Sequence, residues 1–69
     1  MNTAEKITHL RQSHNLNITE AAHKAGVTPG TLSRIERGIS TPRPSTLKKL
    51  AATFGVSTSM IQGDPDVQE

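Results

Sequence analysis

The chain has 69 residues, of which 32% are apolar and 20% charged, with a single aromatic residue, Phe54, and no cysteine. A chain of this length holds one hydrophobic core, and the missing thiols exclude disulfides, thiolate zinc sites and cysteine nucleophiles together. The net charge is +2, but three of the six carboxylates (Asp64, Asp66, Glu69) fall in the last seven residues, so residues 1–62 carry eight cations against three anions, a balance compatible with a polyanion partner.

Glycine and proline divide the chain into five short helical stretches with no strand candidate, an all-α expectation. The first helix is expected from Thr3 to Asn15, with Asn2 as N-cap, Glu5 three residues on, and Ile7 and Leu10 on its inner face. The second begins after Asn17, which forms a capping-box-like pair with Glu20. It turns Ala21, Ala22 and Ala25 inward, carries an i,i+4 pair of Glu20 with Lys24 outward, and ends at Gly26. Val27 fills the turn and Thr28 caps the third helix, which starts at Pro29, points Leu32 and Ile35 inward and stops at Gly38. A loop from Ile39 to Arg43 leads to a fourth helix beginning at Pro44, with Leu47, Leu50, Ala51 and Phe54 as its buried stripe and Gly55 at its end. Ser57 then caps a last short helix holding Met60 and Ile61, closed by Gly63, before a polar, proline-containing end. Residues 1–62 are thus expected to form the domain and residues 63–69 a frayed acidic tail. No apolar run approaches the ~20 residues of a membrane span, and residues 1–20 lack the apolar stretch of a signal peptide, so a cytoplasmic protein is expected.

The second and third helices, separated by a three-residue turn containing glycine, have the form of a helix-turn-helix unit. Three inward alanines would bring the second helix close to its neighbours. Counted from Ile18, the unit has small residues at Ala21, Ala22 and Ala25, glycine at Gly26, and apolar residues at Val27, Leu32 and Ile35. This register resembles the phage-repressor-like (Cro-type, or XRE-type) helix-turn-helix family, most closely from Ala25 to Gly38. Pro42, Leu47, Leu50, Ala51, Phe54, Gly55 and Val56 continue the likeness, which runs from about Ile7 to Ile61. The resemblance implies a lambda-repressor-like domain of five helices whose third helix enters the major groove. Such proteins usually act as homodimers on a pseudo-palindromic operator, with half-sites about 34–36 Å apart. The function implied is transcriptional regulation, usually repression.

Carried over residue by residue, the resemblance makes Arg34 a base-contacting residue, and arginine can bind guanine O6 and N7 bidentately. Ser33 and Thr31 share the outer face, where their hydroxyls reach a base edge or a phosphate; Thr31 has the alternative of bonding the helix start. Pro29 and Gly30 depart from the family, which often has long polar side chains there. Pro29 can pack on a thymine methyl and Gly30 can admit a close backbone approach, or both simply start a helix, with more weight then falling on DNA shape. Ile18 stands where relatives often have a phosphate-binding glutamine, and packing is its expected role. The start of the second helix, with Asn17, still offers N–H groups to a phosphate, as does the start of the third at Thr28. Arg37 and Arg43 match phosphate-contacting positions, and Arg43 has the further option of a minor groove. Arg11 and Glu36 are expected to form an ion pair between the first and third helices, a structural role.

His9, His14 and His23 lack metal-ligand spacing, no base-and-orienter set accompanies the hydroxyls, and neither a metal, a cofactor nor an enzymatic activity is expected. Two other functions share the scaffold: a protein-interaction module, favoured by Ile18, Pro29, Gly30 and Ile39, and an antitoxin-like autoregulator. Ile39, Val56, Met60 and Ile61 are the candidate dimer contacts, each with the alternative of closing the monomer's own core.

Overall fold

Every helix begins with N–H groups that its own backbone cannot satisfy, and at three of those starts a side-chain oxygen accepts one of them. The computed structural model describes residues 2–62, and within them five helices and no strand: α1 (Thr3–Ser13), α2 (Ile18–Ala25), α3 (Pro29–Glu36), α4 (Pro44–Phe54) and α5 (Thr58–Gln62). Asn2 Oδ1 accepts the Glu5 N–H at 2.8 Å while the Asn2 N–H donates to Glu5 Oε1 at 3.2 Å. Asn17 and Glu20 repeat this reciprocal cap at 2.7 and 3.0 Å. Thr28 Oγ1 accepts the Thr31 N–H at 3.1 Å, and Pro29 and Pro44 open α3 and α4, where a missing N–H costs nothing. Gly26 and Gly55 close α2 and α4 in the left-handed region, with φ of 76° and 69°, a conformation that any side chain would strain.

Four expectations are corrected. The first helix ends at Ser13 rather than Asn15, because Asn15 turns left-handed at φ 58° and sends the chain off the helix axis. Glu20 does not pair with Lys24: its carboxylate turns back onto the Asn17 N–H, and the cap wins over a solvated charge pair. Ser57 stands directly before α5 as expected, but its hydroxyl lies 3.1 Å from that of Ser59, two residues on, rather than on a backbone N–H of the helix. Ile61 is a core residue, 0% exposed, and is not available to a partner. The expected tail, with Gly63, lies outside the described residues.

The core joins Ile7 of α1, Ala21, Ala22 and Ala25 of α2, Leu32 and Ile35 of α3, the Leu47, Leu50, Ala51 and Phe54 stripe of α4, and Ile61 of α5. Leu10, Leu16, Ile18, Val27 and Val56 pack half-buried at its edge, so Ile18 and Val56 take the packing role expected of them. α2 packs on α3 and α4 through its alanines, while α1 crosses α3, α4 and α5. With methyl groups at that contact the helix backbones approach closely, which sets the position of α3.

Candidate nucleic-acid interface

At 3.6 residues per turn, the eight residues of α3 divide into two faces. Leu32 and Ile35 are buried, and Glu36 turns inward beside them. Arg11 Nε donates to Glu36 Oε2 at 2.8 Å and its Nη2 to Oε1 at 3.1 Å, with the two side chains only 14% and 7% exposed. The expected ion pair is therefore bidentate and nearly dry. Arg11 Nη1 also donates to the Leu16 carbonyl at 2.8 Å, and Thr8 Oγ1 donates to Glu36 Oε1 at 3.0 Å. One guanidinium thus ties α1, the turn before α2, and α3 together.

The opposite face carries Gly30, Ser33, Arg34 and Arg37. Arg34 and Arg37 are exposed and Ser33 is half-buried. Among the described residues the ion pair of Arg11 with Glu36 stands alone, so Arg34, Arg37 and Arg43 have no carboxylate partner there. The Arg34 side chain leans back along α3, as long helical side chains do. A Cβ built on Gly30 would stand 3.5 Å from Arg34 Nη1, so the guanidinium rests over the first turn of the helix.

Beside this face lies a cleft lined by Thr31, Arg34 and Ile35 of α3, by Ser40, Thr41, Pro42 and Arg43 of the loop, and by Thr46 of α4. Its shape follows from the Arg34 carbonyl, which accepts the Ile39 and Ser40 N–H groups at 3.0 and 3.3 Å and draws the loop back onto the end of α3. Arg43 stands at the N-cap of α4 without capping it, which leaves its side chain free. The structure therefore brings Thr31, Arg34 and Arg43 to one cleft. Arg37, at the C-cap of α3, lies outside that lining. Ser40, Thr41 and Thr46 were not singled out in the sequence; they flank Arg43, and three hydroxyls around an unpaired cation were the available signal.

Thr28 Oγ1 donates to Thr31 Oγ1 at 2.8 Å while accepting the Thr31 N–H. Thr28 is committed to the cap, and Thr31 keeps its own hydroxyl proton to donate, so both roles weighed for Thr31 coexist. Pro29 and Gly30 are exposed in the first turn. Asn17 uses Oδ1 and its N–H in its cap, which leaves Nδ2 as its outward donor. The Ile18 and Thr19 N–H groups next to it have no acceptor among the described residues. His9, His14 and His23 are all exposed, and the His14 ring lies 5.5 Å from that of Phe54. Among the described residues two large apolar side chains stay exposed, Ile39 at 63% and Met60 at 60%.

A helix-turn-helix family profile matches residues 7–61. The chain is 38% identical over 53 residues to RghRB of Bacillus subtilis, an uncharacterized HTH-type transcriptional regulator, covering 75% of this chain and 38% of that protein. It is 33% identical over 63 residues to RstR, the cryptic phage CTXphi transcriptional repressor of Vibrio cholerae, covering 91% of this chain and 57% of RstR. It thus spans well under two thirds of both curated relatives. The fold superposes with a TM-score of 0.84 on SinR, the master regulator for biofilm formation, in a crystal structure with DNA. That match has 32% identity and covers 88% of this chain and 98% of the SinR chain.

Proposed function

The chain belongs to the helix-turn-helix family, and from that premise we propose that it is a sequence-specific regulator of transcription, a repressor that binds double-stranded DNA as a cytoplasmic homodimer. The observation that carries this reading is the outward face of α3, where Arg34 and, across the cleft, Arg43 stand without a carboxylate partner among the described residues. A cation held at that face with no internal bond is matched to a polyanion.

In this reading α3 lies in the major groove and Arg34 bonds a guanine through O6 and N7. Ser33 and the free Thr31 proton reach a base edge or phosphate oxygen, and Pro29 packs on a thymine methyl at the start of the helix. Arg37 and Arg43 neutralise phosphates. The start of α2, with the unbonded Ile18 and Thr19 N–H groups and Asn17 Nδ2, receives another, as does the start of α3 at Thr28. Met60 and Ile39, the large apolar side chains exposed among the described residues, supply the contact between subunits. No catalytic step belongs to this function, and the similarity of the fold to SinR in its DNA complex supports it.

The test is selection from a randomised duplex library. Enrichment of an inverted repeat with half-sites about one helical turn apart supports the reading. Folded protein that enriches nothing at low salt refutes it.

A further inference from the structure

The first turn of α3 would face the bases in such a complex, yet Pro29 and Gly30 offer it no side-chain hydrogen bond. The head of Arg34 fills that gap. Residues 30 and 34 are i,i+4 neighbours on one helix face, and the guanidinium rests where a side chain at position 30 would stand, with Nη1 3.5 Å from a Cβ built there. Gly30 has an ordinary helical backbone, without the positive φ of Gly26, Gly38 and Gly55, so its conformation does not require glycine.

Resting on the proposed DNA reading, we infer that Gly30 is a specificity-determining residue that acts through Arg34. By leaving the first turn bare, it lets a mid-helix arginine deliver its five donors to the base pair that residue 30 would otherwise face. The operator half-site then carries a guanine at that position. A methyl group at position 30 meets Nη1 at ordinary contact distance and leaves the arrangement intact. A longer side chain takes the space and turns the guanidinium away. Gly30 is thus a positioning residue, and the contact belongs to Arg34.

The experiment is duplex selection with four proteins: wild type, Gly30→Ala, Gly30→Leu and Arg34→Ala. Thermal unfolding is followed for each; alanine and leucine both favour helices, so neither Gly30 variant is expected to unfold. Wild type and Gly30→Ala should enrich the same guanine. Gly30→Leu should lose about tenfold of that preference at one position per half-site, as Arg34→Ala does, while keeping its affinity for random duplex. A role in helix stability alone would shift melting and leave base preference unmoved. Unchanged preference in Gly30→Leu overturns the inference, as does a guanine preference that survives in Arg34→Ala. Loss of the preference in Gly30→Ala also overturns it, because bare backbone approach, rather than room for the arginine, would then be what Gly30 supplies. If wild type enriches nothing, the DNA reading itself has failed.

Discussion

The two faces of α3 are built on opposite terms. On the inner face every polar atom is engaged: Glu36 accepts from Arg11 and Thr8, and Leu32 and Ile35 are sealed in the core. On the outer face the Arg34 backbone carbonyl holds the following loop, and its guanidinium has no carboxylate partner among the described residues. A helix can be fixed by one side while the other stays unspent, which separates the residues that place the helix from those that would touch a ligand.

Substitutions can break or sharpen that division. The largest effect is expected for Glu36→Ala, which strands the Arg11 guanidinium in a nearly dry site; about 3–5 kcal/mol should be lost in denaturant unfolding. A midpoint close to wild type would mean that the inner face is held by packing alone. Next comes Arg34→Ala, which should cost about 1–3 kcal/mol in binding to a selected operator and relax one base position, with stability within about 0.5 kcal/mol. Loss of stability instead would erase the distinction between the faces. Asn17→Ala should lower stability by about 1 kcal/mol through its cap. If operator affinity, measured well below the melting temperature, also falls, Asn17 belongs to both groups. The smallest change is expected for Arg43→Ala, which should weaken binding alike on all duplexes. With two phosphate-neutralising arginines per subunit of a dimer, Arg37 and Arg43, the log–log salt slope of wild type is about −4, and this variant should flatten it by about 2.

What was legible in the sequence was short-range. The caps of Asn2, Asn17 and Thr28 reach three residues along the chain, and the stripe of α4 repeats at helical spacing, so residue order alone reveals both. Even there, Glu20 had two partners within reach, Asn17 behind it and Lys24 ahead, and order could not choose between them. The ion pair of Arg11 with Glu36 was foreseen only through the family resemblance. The partners that complete its shell were not foreseen: Thr8 reaches Glu36 only because α1 crosses α3, and the Leu16 carbonyl reaches Arg11 only because the chain turns left-handed at Asn15. Of the candidate site, the resemblance supplied positions. It did not supply the lean of Arg34 over Gly30 or the hydroxyls drawn in by the loop, which follow from rotamers and chain reversal. Ile61 went astray for a related reason: its place on a five-residue helix does not say which side the rest of the fold will cover.

The alanines of α2 carry a calorimetric consequence. Methyl groups have no rotamers to freeze or rearrange, so in the proposed complex α2 and α3 would meet a duplex as one preformed body. Ordering on binding then falls on the few long side chains of the outer face, about 0.5–1.5 kcal/mol for each one immobilised. The heat-capacity change should accordingly reflect the docked surface alone, without the larger negative contribution of a segment that folds as it binds.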